Sequence, residues 1–398
     1  KEMLQFSDRT IFICSHHTVP TLLNQWLGRV FYLGGRVPWP SDLNVPNLSS
    51  AGPTVTNTAL SVAQAFGFKR VILAGVDLCF TREGFTHAKG SDEHQAGPRF
   101  NLTSLQVETN DGFMAPTSCD FAQAIQALSF QAKLLSAHDC ELINVSAGAA
   151  KIDGIAYQSL DGLDVDDGLP LLAEIVSSRL PQDADLDREF ARTADELRRA
   201  RFQVEAIARL AKQARQINDD MYAAQGTIVN FKDKKRLDQI EKKFKRDYRH
   251  FNKLVKKLGI RRLIKLAKPF NDEDWGIEEA KQLGDAYYEA YEEGATRLLA
   301  LIDEALERVA ARQMEYQTAP DFEFLLAQCE KERAYGRVRL WRRRFPSRGI
   351  DDAVLQCFDE FETRFQAIIE DKNTRHFARA KAHSHLPQVR QRAGLLFK

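Results

Sequence analysis

The sequence lacks any long uncharged apolar run. No stretch of about 18 uncharged apolar residues occurs within the chain, so we expect no membrane span. Cysteines are also few: the six in the sequence are scattered without a Cys-x-x-Cys pair, which favours buried reduced thiols over disulfides or a zinc site. These absences favour a cytoplasmic protein, and the length of 398 residues predicts two or three domains.

An excess of charge of one sign is also absent. The chain has 56 Lys and Arg against 55 Asp and Glu, and it shows no nucleic-acid motif, so nucleic acid is not the expected partner. The balance nevertheless shifts along the chain. Residues 1–170 contain 11 basic against 17 acidic residues, and the remainder contains 45 against 38. The two parts therefore differ in composition, as separate domains do.

Four basic clusters lie in the second part of the chain. Three interpretations stay open for them: solvated helix faces, a surface for an acidic partner or for nucleotide phosphates, and, in third place, nucleic acid. The clusters cover residues 232–236, 242–246, 261–265 and 337–344.

The pattern after an acidic Gly/Pro linker at residues 161–180 is almost wholly helical. Apolar residues at helical spacing form one stripe from Leu186 to Ala211 and another from Phe244 to Leu258. We therefore expect a helical bundle over residues 181–398, without a repeat of fixed period. A coiled-coil arm made by the first of these helices is the alternative, although the heptads drift.

Residues 1–160 predict an α/β domain instead. A short apolar strand from Val71 ends near Gly75 and then presents Asp77, and Thr86 and His87 follow within one loop. Polar residues at the carboxyl end of a strand are how an open α/β sheet builds a ligand site. The expected fold is a partial Rossmann-like open sheet with flanking helices, followed by the all-α domain.

Two helices are predicted beside this sheet, over residues 54–66 and 120–137, and each is followed by a strand. A helix of about 13 residues matches the length of a buried strand and runs back along it, so helix starts and strand ends share one edge. Free amides at a helix start favour a phosphate or carboxylate there. The four segments expected to converge lie around Thr54, Asp77, Asp111 and Asn144.

The order and spacing of these segments resemble one known family. The matching stretches are 54–60, 72–80 with 86–90, 108–113 with Thr117, and 143–154. They are similar to the motility accessory factors of bacteria, whose central domain is shared with archaeal 6-hydroxymethylpterin diphosphokinase-like proteins.

This resemblance implies a glycosyltransferase. The family transfers a nonulosonic acid, a sialic-acid-like sugar of the pseudaminic or legionaminic type, from a CMP-activated donor to Ser or Thr of flagellin in the cytoplasm. Flagellum assembly and motility depend on that transfer. The implied partners are flagellin and the nucleotide-sugar; no cofactor is firmly implied, and Mg²⁺ is left open.

Transfer from a CMP-linked sugar needs a base for the acceptor hydroxyl and donors for the departing phosphate. His87 is our candidate base, because an imidazole pKa of about 6.5 suits both tasks. Asp77 is the second catalytic candidate; it would orient a ribose hydroxyl, coordinate Mg²⁺ or only cap its loop. The residues expected to bind substrate are Thr54, Asn57, Gly75, Thr86, Asn110, Asp111, Thr117, Asn144 and Ser146.

Structural roles compete with several of these assignments. Thr54 and Asn57 are residue types that cap helices, and Asn110 with Asp111 makes an ordinary turn by default. No metal site is expected. In particular, the adjacent His16-His17 pair does not predict one, because neighbouring side chains on an extended chain point in opposite directions.

The amino-terminal part of the site is expected to be missing. The family's Gly-rich first strand, turn and helix have no counterpart before Ile11, so we expect that half of the site to lie upstream of Lys1. Strands near Ile11, Val30, Val71 and Leu142 are too few for a full doubly wound sheet. We therefore predict an incomplete sheet with fewer than six strands.

Two other functions stay open. Diphosphoryl transfer from ATP to a pterin alcohol would use Asp77 and Asp111 to hold Mg²⁺. A non-catalytic flagellin-binding or assembly factor would have a degenerate site. A metal requirement separates the two enzymes, and flagellin binding without turnover would indicate the third function.

Overall fold

The computed structural model describes residues 4, 10–15, 18–49, 52–87, 89, 94, 97, 105–164, 183–222, 231–266, 276–347 and 349–370. They form two compact units. The first contains described residues up to Gly34, those from Pro46 to 164 and those from 359 to 370; the second contains Gly35–Val45 and those from 183 to 358.

Several parts of the sequence predictions fall outside the described residues, including short gaps within the predicted bundle. Others are the His16-His17 pair, residues 165–180 of the predicted linker and residues 371–398 of the predicted bundle. Within the described ranges, no helix is long and apolar enough to cross a membrane.

The first unit combines small sheets with helices. Its strands are β1 (Phe12–Ser15), β2 (Val30–Leu33), β3 (Arg70–Leu73), β4 (Gln106–Glu108), β5 (Met114–Pro116), β6 (Glu141–Asn144) and β7 (Ala156–Tyr157). β1 and β2 pair in parallel, and β3, β6 and β7 form a second parallel sheet in the order β3-β6-β7. The register places Arg70 opposite Glu141 and Leu73 opposite Asn144.

The expected incompleteness of the sheet is confirmed for the described residues. The four strands predicted near Ile11, Val30, Val71 and Leu142 all form, but the largest sheet among the described residues has three strands. The antiparallel pair of β4 and β5 was not predicted. Its strands are three residues long, too short for an alternating pattern to be visible, although the turn between them at Asn110-Asp111-Gly112 was expected.

Three helices belong to this unit: α1 (Pro20–Leu23), α2 (Val55–Phe66) and α3 (Cys119–Ser136). α2 begins at a capping box between Thr54 and Asn57 and ends at Gly67, whose φ of 75° is left-handed. Ser118 caps α3 by accepting a hydrogen bond from the backbone N–H of Phe121. Both helices therefore agree with their predicted bounds to within a residue or two.

α3 carries the core of the first unit. Its apolar face is inaccessible to solvent at Ala124, Leu128 and Ala132. These residues pack in one cluster with Leu60 of α2 and Leu73 at the end of β3. The cluster fixes the strand whose carboxyl end leads into the candidate site.

The second unit is helical, as predicted. Its helices are α4 (Asp183–Met221), α5 (Phe231–Arg246), α6 (Arg249–Leu258), α7 (Ile260–Leu266), α8 (Ile277–Met314), α9 (Phe322–Glu332), α10 (Val338–Arg344) and α11 (Asp352–Glu370), the last ending in the first unit. α4 and α8 are long and lie side by side. Their apolar faces share a core with α5 and α6, so α4 is part of a bundle rather than a separate arm.

The segment Gly35–Val45 contributes to this helical core, although it lies between β2 and α2 in the sequence. The ring of Trp39 packs against that of Phe251, with 5.2 Å between the ring centroids. Trp39 Nε1 donates a hydrogen bond to Glu196 at 2.7 Å. Arg36 forms an ion pair with Glu189 at 2.7 Å. Local sequence pattern contains no information about this placement, because all three partners lie more than 150 residues away in the chain.

A buried ionic cluster ties the end of α8 to the helices that follow. The Glu315 carboxylate accepts hydrogen bonds from Arg312, Arg337 and Trp341 Nε1. Glu332 accepts from Arg312 at 3.0 Å. Burial alone raises the pKa of Glu315, but Arg337 and Arg312 hold that pKa below its usual value, so the carboxylate stays charged.

Replacement of Glu315 is therefore expected to destabilise the second unit. Glu315→Gln removes the counter-ion of the buried Arg337 guanidinium and leaves Arg312 with its Glu332 pair, which costs about 3 kcal/mol of unfolding free energy. The measurement is urea unfolding followed by circular dichroism. Glu307→Gln, which removes the exposed ion pair with Lys331, is the control and should cost less than about 1 kcal/mol. Equal losses in the two variants would contradict a structural role for the buried cluster.

Candidate functional site

The loop that follows β3 is held by its backbone carbonyl groups. Three consecutive carbonyls accept hydrogen bonds from three different segments: Val76 from Asn144 Nδ2 at 3.1 Å, Asp77 from the Ala150 N–H at 2.8 Å, and Leu78 from Thr117 Oγ1 at 2.8 Å. Since each donor lies far away in sequence, the loop has a defined conformation only in the folded unit.

The backbone of this loop is unusual at two positions. Gly75 has a φ of 70°, which suits glycine, whereas Leu78 has a φ of 51°, which is rare for a residue with a branched side chain. Leu78 is buried in the core of the first unit, and Thr117 fixes its carbonyl. These contacts maintain the left-handed conformation, a type of strain that is common at functional sites.

Three consecutive N–H groups of the same loop lack an acceptor among the described residues. They are those of Val76, Asp77 and Leu78. Backbone N–H groups without an internal acceptor are suited to a phosphate or another anion.

The loops at residues 109–113 and 145–150 join the same region. Asn110 donates from its backbone to Ala149 at 2.9 Å and from Nδ2 to the Ser146 carbonyl at 2.9 Å. The Asp111 N–H donates to the Ala147 carbonyl at 3.0 Å. Three of the four segments that the sequence placed at one edge of the sheet, those around Asp77, Asp111 and Asn144, are thus in contact.

The fourth segment, around Thr54, is occupied by its own contacts. The Asn57 side chain is fully buried; it accepts from Thr54 and donates from Nδ2 to Gln131 of α3 at 2.9 Å. Within the described residues, neither Thr54 nor Asn57 is hydrogen-bonded to the loops after β3 or β6. These bonds cap α2 and join it to α3, so a ligand contact by this pair stays a prediction.

Asn144 and Thr117 are also buried, at 2% and 1% exposure, and both act on the loops. Asn144 donates to Val76, and its Oδ1 accepts from the Ser146 N–H at 2.9 Å. The sequence allowed either Thr117 or Ser118 as the cap of α3; Ser118 caps, and Thr117 bonds the Leu78 carbonyl. Their contact with a substrate stays a prediction, whereas their positioning of the loops is observed.

Other polar residues reach the surface beside these loops. Asp77, Asn110 and Ser146 are half-buried, and Gly75 and Asp111 are exposed. Hydrogen bonds from Thr109 Oγ1 and the Phe113 N–H, together with the nearby Arg82 guanidinium, lower the pKa of Asp111 below its usual value. Asp111 is therefore ionised at neutral pH.

Arg82 is a candidate that the sequence reasoning missed. Its guanidinium lies 4.5 Å from the centroid of the Phe113 ring and acts on Asp111. This places a cation among the exposed polar groups of the site, where a phosphate would need one. The available signal was its position five residues after Asp77 in the same loop.

His87 lies five residues after Arg82 and is exposed. Its Nδ1 lies 2.8 Å from Thr86 Oγ1, so the two predicted residues are paired with each other. Among the described residues, neither is hydrogen-bonded to the loops that carry Asp77 and Asp111. The participation of both in the site therefore stays a prediction.

The pKa of Cys79 indicates that the carboxylates of Asp77 and Asp111 both lie near its thiol. Burial, the negative charge of Asp77 and, to a smaller extent, that of Asp111 raise the pKa of the Cys79 thiol to about 11. Both carboxylates are therefore near this buried sulfur, which donates to the Gly148 carbonyl at 3.3 Å. The thiol stays protonated at neutral pH and is no nucleophile.

Comparison with known proteins gives one finding. A model of the family described as MptE-like, 6-hydroxymethylpterin diphosphokinase MptE-like, matches residues 1–83. The match agrees with the central domain shared by the family that the sequence resembles, and it includes Gly75, Asp77 and Arg82. No curated protein and no solved structure matches the chain.

No group of three or more His, Cys, Asp or Glu side chains able to hold a metal ion occurs in the part of the chain that the structure describes. A pair of carboxylates with substrate phosphates is the simpler arrangement that Mg²⁺ accepts. Asp77 and Asp111 are the residues here with the chemistry for it.

The environment of Cys79 makes its reactivity testable. With a pKa raised to about 11, the thiol should resist iodoacetamide at pH 7.5, whereas the exposed Cys119 should react at once. Peptide mass spectrometry after timed alkylation measures both. Asp77→Asn removes one neighbouring charge and should lower the pH at which Cys79 reacts; an unchanged pH profile would contradict the proximity of Asp77.

Proposed function

We propose that this chain transfers a nonulosonic acid from a CMP-activated donor to Ser or Thr of flagellin in the cytoplasm. The observation that carries this proposal is the meeting of the loops after β3 and β6 with the turn at residues 110–111. Together they supply N–H groups without an acceptor among the described residues, two carboxylates and a cation. That combination suits the ribose hydroxyls and phosphate of a nucleotide.

Each group has a role in the proposed transfer. The N–H groups of residues 76–78 and the Arg82 guanidinium would neutralise the phosphate of CMP as its bond to the anomeric carbon breaks. Asp77 would accept a hydrogen bond from a ribose hydroxyl. The acceptor hydroxyl of flagellin would attack the anomeric carbon, and its proton would pass to His87.

The pairing of His87 with Thr86 bears on that proton transfer. When Nδ1–H donates to Thr86 Oγ1, the lone pair of Nε2 is left to accept the proton from the acceptor hydroxyl. Thr86 would then be a positioning residue that selects the tautomer. The family resemblance and the large helical unit, which offers a surface for a protein acceptor, support flagellin as that acceptor.

A second candidate is diphosphoryl transfer from ATP to a pterin alcohol. The MptE-like match over residues 1–83 favours it, and Asp77 with Asp111 would hold Mg²⁺ against the phosphates. Two assays separate the candidates. Flagellin co-expressed with the chain should gain a nonulosonic acid mass increment; formation of a pterin diphosphate from ATP and Mg²⁺, without that increment, would favour the second candidate.

Binding of CMP should depend on the exposed groups of the site. Arg82→Gln is expected to weaken CMP binding about ten-fold, because a charge-assisted contact to phosphate is lost. Isothermal titration calorimetry measures the change. Arg70→Gln, at the opposite end of β3 in an exposed pair with Glu141, is the matched control and should bind like the unmodified chain. CMP binding by residues after 180 would contradict the proposed location of the nucleotide site.

His87 should matter for rate rather than for folding. His87→Ala is expected to reduce transfer by about 10² to 10⁴, the range lost when a general base is removed, with little change in thermal unfolding because the residue is exposed. Transfer is measured by intact-mass analysis of flagellin over time. His94→Ala, which removes a ring stacked on Phe85, is the control and should have a mild effect. A wild-type rate in His87→Ala would show that another group is the base.

A further inference from the structure

Positive charge is concentrated on three consecutive helices of the second unit. Residues 231–266, which cover α5, α6 and α7, contain 15 Lys and Arg against 4 Asp and Glu; the rest of the chain contains 41 against 51. This segment alone is therefore strongly cationic in a chain that is otherwise acidic.

The orientation of α7 is fixed by close contacts with α8. A side chain at Gly259, between α6 and α7, would overlap the Ala290 carbonyl, and one at Gly294 would overlap the Val255 carbonyl. Arg262 of α7 donates to Glu293 at 2.6 Å and to Glu289 at 2.8 Å. The side of α7 that carries Arg262 therefore faces α8.

The opposite side of α6 and α7 is exposed and carries a specific set of residues. Two branched apolar side chains, Ile260 and Ile264, are 47% and 64% exposed. Four exposed cations are spaced every four residues beside them. We call these six residues the cationic isoleucine face: Arg249, Lys253, Lys257, Ile260, Arg261 and Ile264.

The six side chains point in similar directions. If the turn at Gly259 is counted as helix, they lie within an arc of about 120°, with both isoleucines inside it. None of the four cations is hydrogen-bonded or ion-paired to another described residue, unlike Arg262 and Arg246 nearby. Their charge is therefore free to act on a partner.

We propose that the cationic isoleucine face binds the surface of an anionic lipid bilayer. Lys and Arg would contact lipid phosphates, while the two isoleucines would enter the boundary between headgroups and acyl chains, as in helices that lie on membranes. A nucleic acid or a polyacidic peptide without apolar side chains accounts for the cations alone. It gives no reason for two exposed β-branched side chains in the middle of the charged arc.

The test is co-sedimentation of the full chain with vesicles at an ionic strength of about 0.1 M, where the Debye length is about 10 Å. Vesicles of phosphatidylglycerol and phosphatidylcholine should retain the protein, vesicles of phosphatidylcholine alone should not, and high salt should release it. Lys253→Gln combined with Lys257→Gln is expected to weaken partitioning of the protein onto the vesicles about 25-fold. Each cation near an anionic surface contributes about five-fold, and the two factors multiply. Ile260→Ser with Ile264→Ser should weaken it about ten-fold without any change in charge.

A control with the same loss of charge is available on α4. Arg198→Gln with Arg199→Gln removes two exposed cations beyond the Arg201–Asp303 ion pair. Asp303 lies 13 residues along α8 from Ala290, about 20 Å, so these cations are about two Debye lengths from the contact with α6 and α7. This variant should partition like the unmodified chain, and all variants should keep the native circular dichroism spectrum.

Two results would overturn the proposal. The first is the absence of binding to anionic vesicles. The second is a pair of findings: the isoleucine variant binds vesicles as well as the unmodified chain, and RNA or polyglutamate displaces the vesicles. The cations would then bind a polyanion without any apolar contact. Should the double isoleucine variant fail to fold, Ile264→Ser alone provides the same comparison.

Discussion

The candidate site depends on hydrogen bonds to three successive backbone carbonyls, those of residues 76–78. A buried peptide carbonyl without a hydrogen bond costs about 1 to 3 kcal/mol, so the loop after β3 adopts its conformation only where donors are in place. Asn144 at the end of β6, Ala150 after it and Thr117 before α3 supply them. One set of bonds therefore joins the ends of both strands and fixes the loop that carries Asp77.

This arrangement divides the polar residues of the site into two groups. Asn144 and Thr117 are buried, and both donate hydrogen bonds to backbone carbonyls. Asp77, Arg82 and Asp111 remain at the surface with their charges. Because the buried group holds the loops, the exposed group would need little reordering to bind the proposed ligand.

Charge is used in two different ways in the helical unit. Around Glu315, arginines and carboxylates are buried, paired and fixed at the end of α8. The four cations of the cationic isoleucine face are exposed and have no ion pair with a described residue, and they lie beside two isoleucines that are also exposed. The first pattern joins helices, and the second is a surface property. The close packing of Gly259 against α8 and of Gly294 against α6 sets which side of α7 faces outward.

Local pattern was sufficient for the elements of the fold. Apolar periodicity identified the strands near Val71 and Leu142 and the face of α3 around Leu128, and the residues Thr54, Gly67 and Ser118 marked helix ends. These features depend on neighbours within about one turn or one strand, so the sequence contains them. It also predicted that the segments around Asp77, Asp111 and Asn144 meet, because parallel strands place their carboxyl ends at one edge.

The tertiary structure decided which side chain points inward and which outward. The sequence by itself determined the helices, the strands and the polar residue types at the sheet edge. It did not determine that Asn57 is buried against Gln131, that Arg82 lies over Phe113, or that Trp39 belongs to the helical core. Each of these contacts joins residues about 30 to 160 positions apart, and packing rather than local propensity selects such partners.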